Sequence, residues 1–233
     1  MRRVAVVIPA LIAVRSVAAI TFYDNTPGAG ETAFFSTSSP RTSGGDDIFF
    51  PAGSFPGLLT SMQFGYFVTG APAFDAHVTF WGSLNVAAAS GQPVFSDKLA
   101  EITVPLPASG FGTAISPTVD LTALPGGGVP VLDGDMGFQL DFRISGTATL
   151  VPNDAASYSF DGTGPNVGSS GDIYWRDLNA NQQITGEEAR NFGGGLGSLA
   201  NFVLRLDGVT PEPSSGAIFA MSAMLIRRRR RDE

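Results

Sequence analysis

Short stretches of alternating apolar and polar residues are the feature that most constrains the fold of this chain. The segment from Gly137 to Ser145 alternates most regularly, and a period of two residues predicts a β-strand with one buried face. The side chains predicted to face the core are Phe138, Leu140, Phe142 and Ile144. Those predicted to face water are Gln139, Asp141 and Arg143. A strand of this kind needs a second layer to cover its apolar face.

Other segments follow the same pattern. Phe74–Trp81 places four apolar side chains on one face and Trp81 on the opposite face, which we expect to be exposed. Asn201–Asp207 places Phe202, Leu204 and Leu206 on an inward face. Further strands are predicted at Leu59–Thr69, Ile20–Asp24, Lys98–Leu106, Ile115–Leu121, Thr147–Val151, Ser157–Phe160 and Asp172–Trp175.

No long stretch shows helical periodicity outside the two ends of the chain. The chain contains 29 glycines and 16 prolines, and both residues favour turns between short strands. Many short strands joined by such turns predict an all-β fold, specifically an antiparallel β-sandwich that is jelly-roll-like. We expect one domain of this kind over residues 20–208.

Charge and composition exclude several classes of function. Between Ile20 and Thr210 there are six basic and 18 acidic residues, a formal net charge of −12. Such a surface repels phosphate groups and has no basic stripe, so we do not expect a nucleic acid partner. It attracts divalent cations. Cysteine is absent and His77 is the only histidine, which excludes disulfides, zinc–thiolate sites and sites with two histidines.

The sequence does not point to an enzyme. A Ser-His-Asp triad would have to use His77, and no serine lies in a nucleophile-elbow motif. Neighbouring acids such as Asp46 with Asp47, or Asp133 with Asp135, leave open a glycoside hydrolase that uses paired carboxylates.

Residues 1–19 have the parts of a secretory signal peptide. Arg2 and Arg3 form a basic start, Val4 to Val14 form an apolar run, and small residues precede a predicted cleavage site after Ala19. The run is shorter than the roughly 20 residues needed to cross a membrane. The alternative is a buried N-terminal strand or helix.

Residues 209–233 contain three features in a fixed order. Pro211-Glu212-Pro213 is followed by an apolar stretch from Ala217 to Ile226, predicted to be a short hydrophobic helix, and then by five arginines from Arg227 to Arg231. This order resembles the PEP-CTERM sorting signal read by exosortases. The apolar stretch falls short of a full membrane span. The alternative is a short terminal helix with a solvated basic end.

The resemblance to PEP-CTERM proteins has several implications. It implies processing at Pro211, Glu212 and Pro213 by an exosortase-type enzyme, after Ala19 has become the last residue of a removed signal peptide. It implies a membrane contact through the C-terminal tail, held transiently or permanently, and a final location in the cell envelope or outside the cell. The bacteria that carry this system make extracellular polysaccharide, which is therefore a candidate partner.

A polar segment from Asp177 to Glu188 resembles an EF-hand or dockerin-like calcium loop. Counted from Asp177 as position 1, oxygen-bearing residues fall where Ca²⁺ requires ligands. The predicted ligands are Asp177, Asn179, Asn181, the backbone carbonyl of Gln183, Thr185 and the bidentate carboxylate of Glu188. Gln182 stands where the family has glycine, and asparagines replace two carboxylates, which weakens the predicted site. The alternative is a loop of ordinary turn residues.

Together these features predict an exported cell-surface or extracellular-matrix protein with a non-catalytic sandwich. The alternative is a carbohydrate-binding module in the same location, in which Trp81 stacks on a sugar ring. A calcium-dependent glycoside hydrolase is a third, weaker alternative.

Overall fold

The computed structural model describes residues 17–26, 33–35, 43–69, 73–82, 84–87, 92–95, 98–107, 111–149, 155–161, 165–170, 173–175, 189–191 and 200–211. These residues form seventeen strands and no helix. The strands are β1 (Val17–Asp24), β2 (Ala33–Phe35), β3 (Ser43–Phe49), β4 (Gly57–Thr69), β5 (Phe74–Trp81), β6 (Leu84–Ala87), β7 (Gln92–Phe95), β8 (Lys98–Leu106), β9 (Phe111–Ile115), β10 (Val119–Asp120), β11 (Val129–Val131), β12 (Asp135–Ile144), β13 (Ala155–Asp161), β14 (Ile173–Trp175), β15 (Ala189–Asn191), β16 (Ala200–Phe202) and β17 (Leu204–Pro211).

The strands form two large sheets, so the all-β antiparallel fold is confirmed. The first has nine strands in the order β1-β17-β4-β13-β16, with β9, β10 and β11 also pairing with β4, and β2 with β13. The second has six strands in the order β15-β14-β3-β12-β5-β8, and β6 and β7 form a separate pair. Pairing is antiparallel throughout the registers observed, including β12 with both β3 and β5. A sandwich-like arrangement of the two large sheets fits this topology.

One hydrophobic core contains residues from both large sheets. β4 and β17 contribute Met62, Phe64, Leu204 and Leu206 from the first sheet, each no more than 1% exposed. From the second sheet come Phe74, Ala76, Val78, Phe80, Phe138, Leu140 and Phe142, all likewise buried. Tyr66 of β4 and Phe74 of β5 meet edge to face with their ring centroids 6.0 Å apart, which joins the two layers.

The inward positions predicted from alternation are thus largely confirmed, with some corrections. Ile144 was expected in the core but is 42% exposed, because β12 ends there in a turn whose Thr147 amide donates to the Ile144 carbonyl. The strand predicted at Ile115–Leu121 is interrupted after Ile115, and only Val119–Asp120 resumes pairing with β4. Residues 147–149 of the strand predicted at Thr147–Val151 belong to the turn.

The chain divides into two compact units. One is Ala19–Thr210, and the other consists of Met1–Ala18 together with Pro211–Glu233. The sheets belong to the first unit apart from the outermost residues of β1 and β17. The predicted hydrophobic helix and nearly all of the predicted signal peptide lie outside the described residues. Within the described ranges, no helix has the length and apolar character needed to cross a membrane.

Candidate functional site

Polar side chains of β12, β5 and β8 lie on the face of the six-stranded sheet opposite the hydrophobic core. Because side chains alternate along a strand, the residues between the core positions of β12, β5 and β8 share this face. Cross-strand pairing brings Asp141, His77 and Thr103 into one row, and Gln139, Thr79 and Glu101 into the next. The polar ladder, as we call this set, consists of Gln139, Asp141, Arg143, Asp75, His77, Thr79, Glu101 and Thr103.

Burial varies along the polar ladder. Gln139 is 0% and Asp141 is 1% exposed, so the prediction that these residues face water is wrong. The Arg143 side chain, also predicted to face water, is only 13% exposed. Thr103 and Glu101, in contrast, lie at the surface. The polar ladder therefore runs from a buried interior on β12 to an accessible edge on β8.

The two buried carboxylates of the polar ladder, Asp141 and Asp75, each accept two hydrogen bonds. Asp141 accepts from Gln139 Nε2 at 3.1 Å and from Arg143 Nη2 at 3.3 Å, and the latter contact is also an ion pair. Asp75 accepts from Ser145 Oγ at 3.0 Å and from the Gly146 amide at 2.9 Å. Arg143 Nε is buried and makes no hydrogen bond with any residue that the structure describes. A buried donor of this kind needs an acceptor, such as water or a ligand hydroxyl.

His77 lies in the middle of the polar ladder. Burial lowers its pKa, as does the neighbouring Arg143, while Glu101, Asp141 and Asp75 act in the opposite direction. The imidazole is therefore neutral at pH 7. Its Nδ1 atom lies 3.4 Å from Thr103 Oγ1 and 4.0 Å from Glu101 Oε1. A catalytic triad uses one ring nitrogen for the nucleophile and the other for the carboxylate. Both contacts here are made by Nδ1, so the arrangement does not form a triad.

A second polar cluster lies inside the protein around Asp46 and Asp47 of β3, each 2% exposed. Both carboxylates accept from the Ser170 hydroxyl, at 3.2 Å and 3.0 Å respectively. Asp46 also accepts from the Asp47 amide at 3.0 Å and from the Phe202 amide of β16 at 2.8 Å. The last bond joins the six-stranded sheet to the nine-stranded sheet, at the point where the chain passes from β16 to β17.

The electrostatics of this cluster follow from its burial. Desolvation raises the pKa of Asp46 well above its usual range, and the neighbouring charge of Asp47 raises it further, although the three donors oppose this. Tyr23 of β1 is 1% exposed, and its pKa is raised by burial first and then by Asp46 and Asp47. A saccharide could not reach carboxylates buried to this degree. The Asp46–Asp47 pair is therefore unsuited to the hydrolase chemistry considered above.

Sequence reasoning did not identify this cluster. Gly44-Gly45 before Asp46 and Asp47 is typical of a turn, so no strand was predicted there. Asp46 and Ile48 share one face of β3, opposite Phe138 and Met136 of β12, and only the folded structure shows this pairing.

Trp81 is 8% exposed, so the prediction that it lies on an exposed face is wrong. It pairs with Gly137 of β12 and with Lys98 of β8, where the register shifts. A ring that stacks on sugar must present one face to solvent. The predicted role of Trp81 in stacking on a sugar assumed an exposed ring, and the ring is buried.

The predicted calcium ligands Asp177, Asn179, Asn181, Gln183, Thr185 and Glu188 lie outside the described residues. The strands on either side of them are described. β14 and β15 pair antiparallel, and Trp175 lies opposite Ala189. Glu188 is thus followed directly by a strand, whereas an EF-hand loop is followed by a helix. Among described residues there is no group of three or more histidine, aspartate or glutamate side chains placed to hold a metal.

Two of the four predicted processing positions, Ala19 and Pro211, lie in described strands. Ala19 is exposed in β1, and Pro211 is the last residue of β17. Glu212 and Pro213 lie outside the described residues. An open groove of about 320 Å³ follows the β1–β17 pair, lined by Ala19, Ile20, Thr21, Thr60, Asp207, Gly208 and Val209.

Comparisons with known proteins give little further information. No family model and no curated protein matches the chain. Two solved structures with low similarity are those of the infectious bursal disease virus Gt and Gx strains, each 13% identical, with TM-scores of 0.27 and 0.24. The alignments cover 92% and 100% of this chain but 48% and 55% of the viral chains, so this chain spans about half of their length. Similarity this low carries no argument about fold or function.

Proposed function

We propose that this chain is an exported cell-surface or extracellular-matrix protein, sorted through its C-terminal tail, with a non-catalytic β-sandwich. The observation that carries the proposal is the order of features at the C-terminus. Pro211-Glu212-Pro213, an apolar stretch and five arginines follow one another. The signal-peptide pattern over residues 1–19 supports it independently.

Two features of the sandwich favour a non-catalytic role. The His77 contacts with Thr103 and Glu101 share one ring nitrogen, which does not allow proton relay between them. The closest pair of acids in sequence within the sheet, Asp46 and Asp47, is buried beyond the reach of a polymer substrate. The proposed role is therefore binding or structural.

The experiment is to recover the protein from its native cells and determine both termini by intact-mass and terminal-peptide mass spectrometry. We expect a first residue at Ile20 and loss or modification of the chain near Pro211–Pro213. Replacing Pro211, Glu212 and Pro213 by alanine should leave the tail uncut. The matched control replaces Asp232 and Glu233 by asparagine and glutamine, which alters acids beyond the basic cluster and should leave processing unchanged. A chain running from Met1 to Glu233 in the soluble cytoplasm would contradict the proposal.

A second candidate function is carbohydrate binding, favoured by the accessible edge of the polar ladder. Sugar hydroxyls both donate and accept, so they are recognised by mixed sets of carboxylate, guanidinium and hydroxyl groups. At this edge Glu101 and Thr103 supply a carboxylate and a hydroxyl beside His77, and the guanidinium of Arg143, although mostly buried, lies near His77. We expect Thr103→Val to weaken retention on a polysaccharide column. Thr113→Val, at an exposed position on β9, is the matched control and should have no effect. Equal retention of both variants and the parent chain would exclude this site.

A further inference from the structure

The start of β1 and the end of β17 meet at one side of the nine-stranded sheet. The Asn25 amide donates to the Leu204 carbonyl at 2.8 Å, and further along the pair Thr21 Oγ1 donates to Asp207 Oδ1 at 2.7 Å. Residue numbers fall along β1 as they rise along β17, so the strands run in opposite directions. Ile20 therefore lies beside Asp207–Val209. Ile20 and these three residues line the open groove.

Charges along this strand pair do not balance. Arg205 forms ion pairs with Asp207, at 2.9 Å, and with Asp24, at 3.4 Å. The single positive charge of Arg205 is thus shared between the carboxylates of Asp24 and Asp207. Among the described residues that line the groove, Asp207 alone is charged. One further positive charge beside Asp207 would balance the charges of Arg205, Asp24 and Asp207.

Cleavage after Ala19 would supply that cation. Hydrolysis of the Ala19–Ile20 peptide bond by a leader peptidase consumes one water. The new carboxylate leaves with residues 1–19, and the new amine of Ile20 takes up a proton. An α-amino group has a pKa of about 7.7–8.0, so it is mostly protonated at neutral pH. The cleavage also removes Ala19, an exposed residue that lines the groove, and so opens the groove beside the new terminus.

We propose that processing creates an ion pair between the α-ammonium of Ile20 and the carboxylate of Asp207, which fastens β1 to β17 in the mature protein. The inference rests on the cleavage position in the proposed function. Cleavage alone does not require this ion pair. The proposal adds that the N-terminal amine of the mature protein stabilises the fold. The Ile20 side chain packs against the core, and this limits the freedom of the amine that it carries. β1 is at one end of the strand order and pairs with β17 there, so a contact at its first residue opposes fraying.

The test is a double-mutant cycle on chains that run from Ile20 to Glu233. Four chains are compared: the native sequence and the Asp207→Asn variant, each with the Ile20 amine either free or acetylated. We expect acetylation to lower Tm by about 1–3 °C in the Asp207 chain and to have no effect in the Asp207→Asn chain. A chain beginning at Ala19 has the same free amine moved along the strand by about 3.4 Å, and its acetylation should have less effect.

The pH dependence gives a second readout. An ion pair raises the pKa of the amine in the folded state, so the stabilisation is complete below the unfolded value and is lost as pH rises through the folded value. The difference between free and acetylated chains should therefore disappear above about pH 9. An equal effect of acetylation with and without Asp207→Asn would overturn the ion pair while leaving the export proposal intact. A native N-terminus other than Ile20 would instead contradict the predicted cleavage position.

Discussion

Replacing Gly208 by alanine tests the close packing at the bulge where β17 pairs with β4. The register shifts between Asp207 and Gly208, and a Cβ at Gly208 would lie 2.1 Å from the Leu58 carbonyl oxygen and 2.9 Å from Phe22 Cε2. The first contact is with backbone, which cannot rotate away. The second is with a ring that is 0% exposed and meets Phe50 edge to face at 5.7 Å. Either the bulge must open or the ring must leave its position.

The magnitude follows from these two contacts. Overpacking of a well-packed interior costs about 1–3 kcal/mol. Separation of the strands at the bulge would add about 1 kcal/mol for a weakened backbone hydrogen bond. We therefore expect Gly208→Ala to lower the free energy of unfolding by roughly 3 kcal/mol and Tm by roughly 6–12 °C.

The assay is equilibrium denaturation in urea together with thermal melting of the parent chain and both variants. Gly134→Ala is the matched control, since its Cβ would lie 3.5 Å from the Phe55 ring, an ordinary contact. Neither glycine has the left-handed backbone conformation that would strain alanine. We expect Gly134→Ala to be neutral or slightly stabilising, because alanine restricts the unfolded chain. If Gly208→Ala were as stable as the parent, or no worse than Gly134→Ala, the argument from close packing would be refuted.

Two further predictions concern buried charge and calcium. Because burial raises the pKa of Asp46, the folded protein retains a proton that the unfolded chain has lost, so stability should fall as pH rises from about 3.8 through the raised pKa. Asp46→Asn should reduce that slope in urea unfolding measured from pH 3.5 to 8, and an unchanged slope would mean that other groups cause it. If the Asp177–Glu188 segment binds calcium, Tm should be higher in calcium than in chelator. Glu188→Ala should remove the difference and the neighbouring Glu187→Ala should keep it, whereas identical melts of the parent chain in both conditions would exclude the site.

Alternation predicted the strands whose two faces differ in composition. Phe74–Trp81 and Lys98–Leu106 match β5 and β8 at both ends, because a period of two is a local property of the chain. The interruption at Val203, which separates β16 from β17, was not predicted. It arises because the chain changes its partner there from β13 to β4, a feature of the assembled sheet.

The polar sites were harder to predict for a related reason. Alternation shows that Gln139 and Asp141 share a face, but it does not show whether that face is covered. Gln139 is completely buried even though it is polar. Asp46 accepts hydrogen bonds from Ser170 and Phe202, which lie 124 and 156 residues further along the chain. No local pattern contains partners at that distance, so the cluster becomes visible only in the folded protein.

The position of β4 in the chain has a consequence for the order of assembly. β4 is complete by Thr69, yet its residues Leu58–Phe64 pair with β17, the last described strand. Until Leu204–Val209 has been synthesised, residues Leu58–Phe64 lack their β17 partner on that edge of β4, and an open strand edge promotes association between chains. Contacts this distant in sequence also form slowly, because the intervening chain must first be closed into a loop. We expect a chain truncated before Leu204 to keep this edge open and to aggregate more readily than the chain that includes β17.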